Sequence, residues 1–147
     1  MGRERVVPKE NEVGYLVKRV QLALRTTLDS ALAEQDLTTA QYAVLYHLAR
    51  SPGVSSAELA RLSFVTPQTM IRLVRGLERK RFLVRRPSPK NPHFLESRLT
   101  KDGAGALRRA QRQVDTIHER MLGSLSRSES EQLAAWLTHL AEQLERH

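Results

Sequence analysis

Ser55-Ser56-Ala57-Glu58-Leu59-Ala60-Arg61-Leu62-Ser63-Phe64-Val65-Thr66-Pro67-Gln68-Thr69-Met70-Ile71-Arg72-Leu73-Val74-Arg75-Gly76-Leu77-Glu78 is the stretch that decides the fold. It contains two helix starts with a short link between them. Ser55 and Glu58 have the spacing of a capping box, in which the hydroxyl accepts from the third helical amide and the acid reaches back. Thr66-Pro67 is a cap followed by proline at the first helical position, where its missing donor does no harm. The spacing predicts a short helix over 56–62, a turn at Ser63-Phe64-Val65 and a second helix over 67–80. That is a helix-turn-helix.

At 100° per residue, Arg72, Arg75 and Arg79 fall within about 40° of Gln68. Met70, Leu73, Val74 and Leu77 cluster on the opposite side. One face is therefore core and the other a Gln/Arg stripe, flanked by Thr69 and Ile71. Gln bonds adenine bidentately, Arg bonds guanine or phosphate, and Ile can touch a thymine methyl. A merely solvated basic helix would look the same in isolation. The capped helix before it and the basic hairpin after it favour groove readout, with Ser55, Thr66, Gln68, Thr69, Arg72, Arg75 and Arg79 as candidate DNA contacts.

Downstream, Phe82-Leu83-Val84 reads as a strand, and 94–100 as its return. Between them Pro87-Ser88-Pro89-Lys90-Asn91-Pro92 reads as an irregular loop. The hairpin carries Arg85, Arg86, Lys90 and His93. Charge at a wing tip releases counterions from the DNA backbone and strengthens binding without sequence preference. Upstream, Thr38 and Gln41 form a second capping box, opening a helix over 39–50 that Ser51-Pro52-Gly53 ends. Ser126 and Glu129 form a third. The remaining helices are expected over 12–35, 101–122 and 127–146.

These end helices carry apolar seams. Leu107, Ala110, Val114, Ile117 and Met121 recur at alternating spacings of three and four, and Leu133, Trp136, Leu137, Leu140 and Leu144 do much the same. Such seams suit helix association. Two readings remain open: a pair packed within one chain against the first helix, or a two-fold partner contacting Leu16, Val114, Ile117, Met121 and the apolar residues of the last helix. The second would place two reading helices about one DNA turn apart.

Composition agrees. The chain has 147 residues and 24 Lys and Arg against 16 Asp and Glu, a formal net charge of +8, which favours a polyanion partner. Nine of those cations lie between Arg72 and Arg98, against two acids, Glu78 and Glu96. With no cysteine, disulfides, thiolate zinc sites and thiol redox sensing are excluded. The five histidines lack a clustered ligand pattern, so no metal is expected. Residues 1–8 lack the apolar run of a signal peptide, and no run is long enough to span a bilayer, which predicts a cytoplasmic chain without membrane contact. No phosphate loop, nucleophile elbow or metalloenzyme motif appears, so no enzyme and no cofactor is expected.

The chain resembles the MarR family of winged helix-turn-helix regulators. The resemblance spans about residues 14–144. It is carried by Ser55 to Arg61, Val65 to Met70 and Leu73 to Glu78, with Leu37-Thr38-Thr39-Ala40-Gln41-Tyr42 before them and Leu99-Thr100-Lys101-Asp102-Gly103 after. It implies a mainly α fold with a small β-hairpin wing. Residues 1–147 would form a single MarR-type domain, with a DNA-binding lobe over 38–100 and dimerisation helices over 10–35 and 101–147. It further implies a homodimeric repressor, or less often an activator, on a pseudo-palindromic operator in double-stranded DNA, released by a small phenolic or aromatic acid. Candidate ligand residues are Tyr15, Arg19, Tyr42 and His47. One departure stands out: wings of the family often carry Asp-x-Arg at the tip, where this chain has Asn91 and His93. The alternative is a constitutive architectural DNA-binding protein without an inducer.

Overall fold

Helix ends account for most of the architecture. The computed structural model describes residues 12–146. Expectations for residues 1–8 and for positions 10, 11 and 147 lie outside them. The elements are α1 (Val13–Leu32) with a short 3-10 turn (Ala33–Gln35), α2 (Thr39–Arg50), α3 (Ser56–Leu62), α4 (Pro67–Arg79), β1 (Leu83–Pro87), β2 (Leu95–Leu99), α5 (Lys101–Leu122) and α6 (Arg127–Glu145). The fold is mainly helical with one antiparallel hairpin, in register from Leu83 opposite Leu99 to Pro87 opposite Leu95.

Full capping boxes form at Thr38/Gln41 and Ser126/Glu129. Thr66 caps α4 by accepting from the Thr69 amide at 3.2 Å. The expected box at Ser55/Glu58 is only half made. Ser55 Oγ accepts from the Glu58 amide at 3.1 Å, but the Glu58 carboxylate turns to the Arg61 guanidinium one turn on. A charged partner there outcompetes a backbone amide, and it holds the Glu58 carboxyl below its usual range. Pro87, expected in the loop, instead ends β1, where a residue without an amide costs little.

Three helix ends share a device that composition hides. Phe82 N donates to Leu77 O and Arg81 N to Glu78 O; Val65 N to Ala60 O and Phe64 N to Arg61 O; Leu37 N to Leu32 O and Asp36 N to Ala33 O. These are Schellman motifs. Each needs a left-handed residue, and here those are Arg81, Phe64 and Asp36 with φ of 61°, 54° and 55° rather than glycine. In the Asp36 motif the closing pair, Leu32 with Leu37, is buried on both sides and offsets the strain.

The described residues divide into two compact units, one ending at Gln113 and the other beginning at Val114. In the first, Leu32, Val44, Leu45, Leu59, Met70, Leu77 and Leu83 are fully buried, so α1, α2, α3, α4 and β1 all contribute to the core. The start of α5 is joined tightly to the base of the hairpin. The Thr100 hydroxyl donates to Arg81 O at 2.6 Å and accepts from Gly103 N at 3.0 Å. A Cβ on Gly103 would lie 1.9 Å from Phe82 O, so only glycine fits. In the second unit α6 buries none of its residues. Val114, expected to face a partner, is already buried in the single chain and offers no surface to one. No helix among the described residues is long and apolar enough to cross a membrane.

Candidate nucleic-acid interface

The two faces of α4 separate as its periodicity requires. Met70, Val74 and Leu77 are buried and Leu73 is half-buried, while Gln68, Arg72, Arg75 and Arg79 are exposed. None of these three arginines has an ion-pair or hydrogen-bond partner among the described residues. Thr69 is half-buried and Ile71 exposed at the edges of the stripe. The Thr66 hydroxyl is committed to the cap, and Ser55 likewise, so both act first as helix starts.

Lys80, at the C-cap of α4, fixes the helix to the α1–α2 junction. Its ammonium donates to Asp36 O at 2.5 Å and to Gln41 Oε1 at 3.0 Å, and it lies 3.4 Å from the Asp36 carboxylate. Sequence reading missed this role because the partners lie some forty residues away in the chain.

The hairpin differs from α4 in that much of its charge is already engaged. Arg85 Nε donates to Glu78 Oε2 at 2.7 Å. Glu96 accepts from the Ser88 hydroxyl at 2.7 Å and from Arg98 at 3.2 Å. The Ser88 bond chiefly, with Arg98 and the nearby Lys90 ammonium, holds the Glu96 carboxyl below its usual range against a smaller opposing effect of burial. Ser88 also accepts from the Lys90 amide, and its own amide donates to Phe94 O at 2.7 Å. Asn91 Oδ1 accepts from the His93 amide at 3.1 Å. The tip is thus ordered by Ser88, Glu96 and Asn91, and it presents Arg86, Lys90 and His93 to solvent.

The four candidate ligand residues lie on α1 and α2. Tyr15 is 67% exposed and Arg19 is also exposed. The Tyr42 hydroxyl donates to Gln111 Oε1 at 2.6 Å. His47 stands edge-on to Tyr46, with centroids 5.4 Å apart. A cavity of about 360 Å³ lies instead between α1, α2 and the helix-turn-helix turn, lined by Gln21, Leu24, Arg25, Leu28, Thr39, Ala40, Ala43, Ser63, Phe64 and Val65. None of the four lines it. Its α1 wall is a stripe at 3-1-3 spacing that starts two residues beyond Arg19. The buried Ser63 hydroxyl has no partner among the described residues. Beside the cavity, Asp29 Oδ1 accepts from the Thr39 amide at 2.6 Å. Burial pushes the Asp29 carboxyl up, but hydrogen bonding from Thr39 and the charge of Arg25 together bring it below its usual value. No group of His, Asp and Glu able to hold a metal occurs among the described residues.

Partner-facing candidates on α6 are open. Trp136 is 61% exposed and Leu144 77%, and Leu137 and Leu140 are also exposed. Met121 on α5 is exposed, whereas Leu16, Ile117 and Leu133 are half-buried.

Comparison with known proteins agrees with this geometry. A sequence model of the MarR family matches residues 35–91. The HTH-type transcriptional repressor Rv2887 of Mycobacterium tuberculosis is 35% identical over 128 residues, covering 87% of this chain and 92% of that protein. Its solved structures include a complex with DNA, at a TM-score of 0.71 and 35% identity over 87% of this chain and 96% of that one. Another holds p-aminosalicylic acid, at a TM-score of 0.71 and 35% identity over 88% and 98%. The repressor CouR of Rhodococcus jostii, solved on a 23-mer duplex, superposes at a TM-score of 0.81 with 30% identity over 92% of this chain and 99% of that one. With its capped helix-turn-helix, its hairpin and this likeness along nearly its whole length, the chain belongs to the MarR family of transcriptional regulators.

Proposed function

We propose that this protein is a transcriptional repressor, not an enzyme, that binds a pseudo-palindromic operator as a homodimer and is released by a small aromatic acid. The observation that carries the DNA reading is the exposed face of Gln68, Arg72, Arg75 and Arg79, whose arginines have no partner within the described residues. Residues 38–100 supply the DNA-binding lobe, with Arg86, Lys90 and His93 as backbone contacts from the wing. Residues 10–35 and 101–147 supply the association helices, with Trp136, Leu137, Leu140 and Leu144 at the centre of the contact. The DNA complexes of Rv2887 and CouR support the reading.

The effector reading is moved from Tyr15, Arg19, Tyr42 and His47 to the cavity at Ser63. Its volume of about 360 Å³ suits a single-ring acid. Leu24, Leu28 and Ala43 offer an apolar wall, Arg25 a cation for a carboxylate, and Ser63 an unsatisfied hydroxyl. Rv2887 with p-aminosalicylic acid supports this class of ligand. The cavity adjoins the turn that leads into the Thr66 cap, so a ligand there biases the direction of α4.

Fluorescence anisotropy of the purified chain on selected genomic fragments, with and without p-aminosalicylate, tests both parts. The expected result is salt-sensitive, sequence-selective binding that the acid reverses, with Ala43→Trp keeping the binding and losing the reversal. Binding that the acid leaves untouched contradicts the effector reading and favours an architectural role.

A further inference from the structure

Arg75, Glu78, Arg79 and Arg85 line one open depression of about 400 Å³ between α4 and β1. Its three guanidinium groups would suit a backbone phosphate. The depression is not a plain cationic slot, because Glu78 lies in it and binds Arg85 at 2.7 Å. Arg75 and Arg79, in the same depression, have no such partner among the described residues. Both members of the pair are partly exposed, 33% for Arg85 and 41% for Glu78, so the carboxylate faces the space a phosphate would enter.

We infer that Glu78 is an affinity-limiting residue: it neutralises Arg85 and repels the phosphate that Arg75 and Arg79 attract. This rests on the DNA-binding reading above and deepens it. A phosphate approaching Arg85 meets a guanidinium whose charge Glu78 already neutralises through Nε, so Arg85 adds little to counterion release while Glu78 is charged. The effect is independent of sequence, since only backbone charge is involved. It leaves the readout by Gln68 and Arg72 intact and keeps the complex weak enough for an effector to dissolve. Arg85, expected from the sequence as a wing contact, on this account makes no phosphate contact of its own and serves to mask Glu78.

The test is a double-mutant cycle of Glu78→Gln and Arg85→Ala in the full-length protein. Anisotropy is measured over a salt series on a selected operator and on a random-sequence duplex, and melting temperatures monitor folding. Glu78→Gln is expected to tighten both complexes by about two- to fivefold and to steepen the salt slope by about 0.9. Arg85→Ala alone leaves Glu78 unpaired beside Arg75 and Arg79 and is expected to weaken both complexes by about two- to fivefold. Adding Glu78→Gln to it should return affinity and slope to the wild-type values. Unchanged or weaker binding by a folded Glu78→Gln protein would overturn the proposal, as would a double variant that binds no tighter than Arg85→Ala alone. If Glu78→Gln lowers the melting temperature, the comparison of the double variant with Arg85→Ala decides, because no ion pair is left there to lose. A wild-type protein that binds neither duplex contradicts the DNA reading itself, and the limiting role with it.

Discussion

Helices α4 and α6 are both amphipathic, yet the single chain treats them in opposite ways. In α4 the apolar side is under cover and a Gln/Arg face points to solvent. In α6 nothing is buried, and Trp136, Leu137, Leu140 and Leu144 face out. Contiguous exposed apolar surface on a helix marks an association site. The contrast indicates that the chain has two unmet needs of different chemistry: a polyanion for α4 and an apolar surface for α6. A second copy of the chain meets the second need and, by symmetry, doubles the first.

Removing the apolar needs of α6 should break that comparison most strongly. Leu137→Glu combined with Leu140→Glu is expected to give monomers by sedimentation and to lose about 10²–10⁴-fold in operator affinity, since two half-sites no longer act together. Retained full affinity by monomers would separate α6 from function. On α4, Arg72→Ala should weaken operator binding by about 1–3 kcal/mol, with a smaller loss on random duplex. Equal losses in both would reduce the stripe to general electrostatics. The turn that directs α4 allows a finer test. Phe64 is 91% exposed at φ 54°, so Phe64→Gly should raise stability, by about 1 kcal/mol in thermal unfolding, because glycine relieves the left-handed strain. Lys90→Ala should cost both complexes equally and flatten the salt slope by about 0.9. The smallest effect concerns the wing. Because folding holds the Glu96 carboxyl below its unfolded value, its contribution is present above the usual carboxylate value of 4.5 and is lost as pH falls through the folded value. Protection of the Ser88 and Phe94 amides, corrected for the intrinsic pH dependence of exchange, should therefore fall on acidification, and a flat protection profile would remove Glu96 from the ordering of the tip.

Local rules made much of this legible in advance. The caps at Thr38, Thr66 and Ser126 were readable because each involves residues within one turn, and the α4 stripe because its period is that of the helix. What escaped was set by distant or competing partners. Glu58 chose Arg61 over its capping amide. Arg85 met Glu78 across a helix-to-strand junction, and Lys80 met Asp36 and Gln41 across half the lobe. Phe64, Arg81 and Asp36 took left-handed positions that a search for glycine passes over. The seam through Val114 was real as a pattern, but periodicity cannot say whether a stripe is covered by its own chain. The cavity at Ser63 needs α1, α2 and the turn brought together, and no single segment displays it. Tyr15 and Arg19 suit an aromatic acid in chemistry but do not line that cavity.

The most direct test of the central claim, that two copies of α4 read DNA as a symmetric pair, is selection of bound fragments from random-sequence duplex by the purified protein at near-physiological salt. The account predicts a short inverted repeat whose half-sites lie about one helical turn apart, and loss of that motif with Arg72→Ala. Enrichment without any motif, or of a single unrepeated half-site, would contradict it.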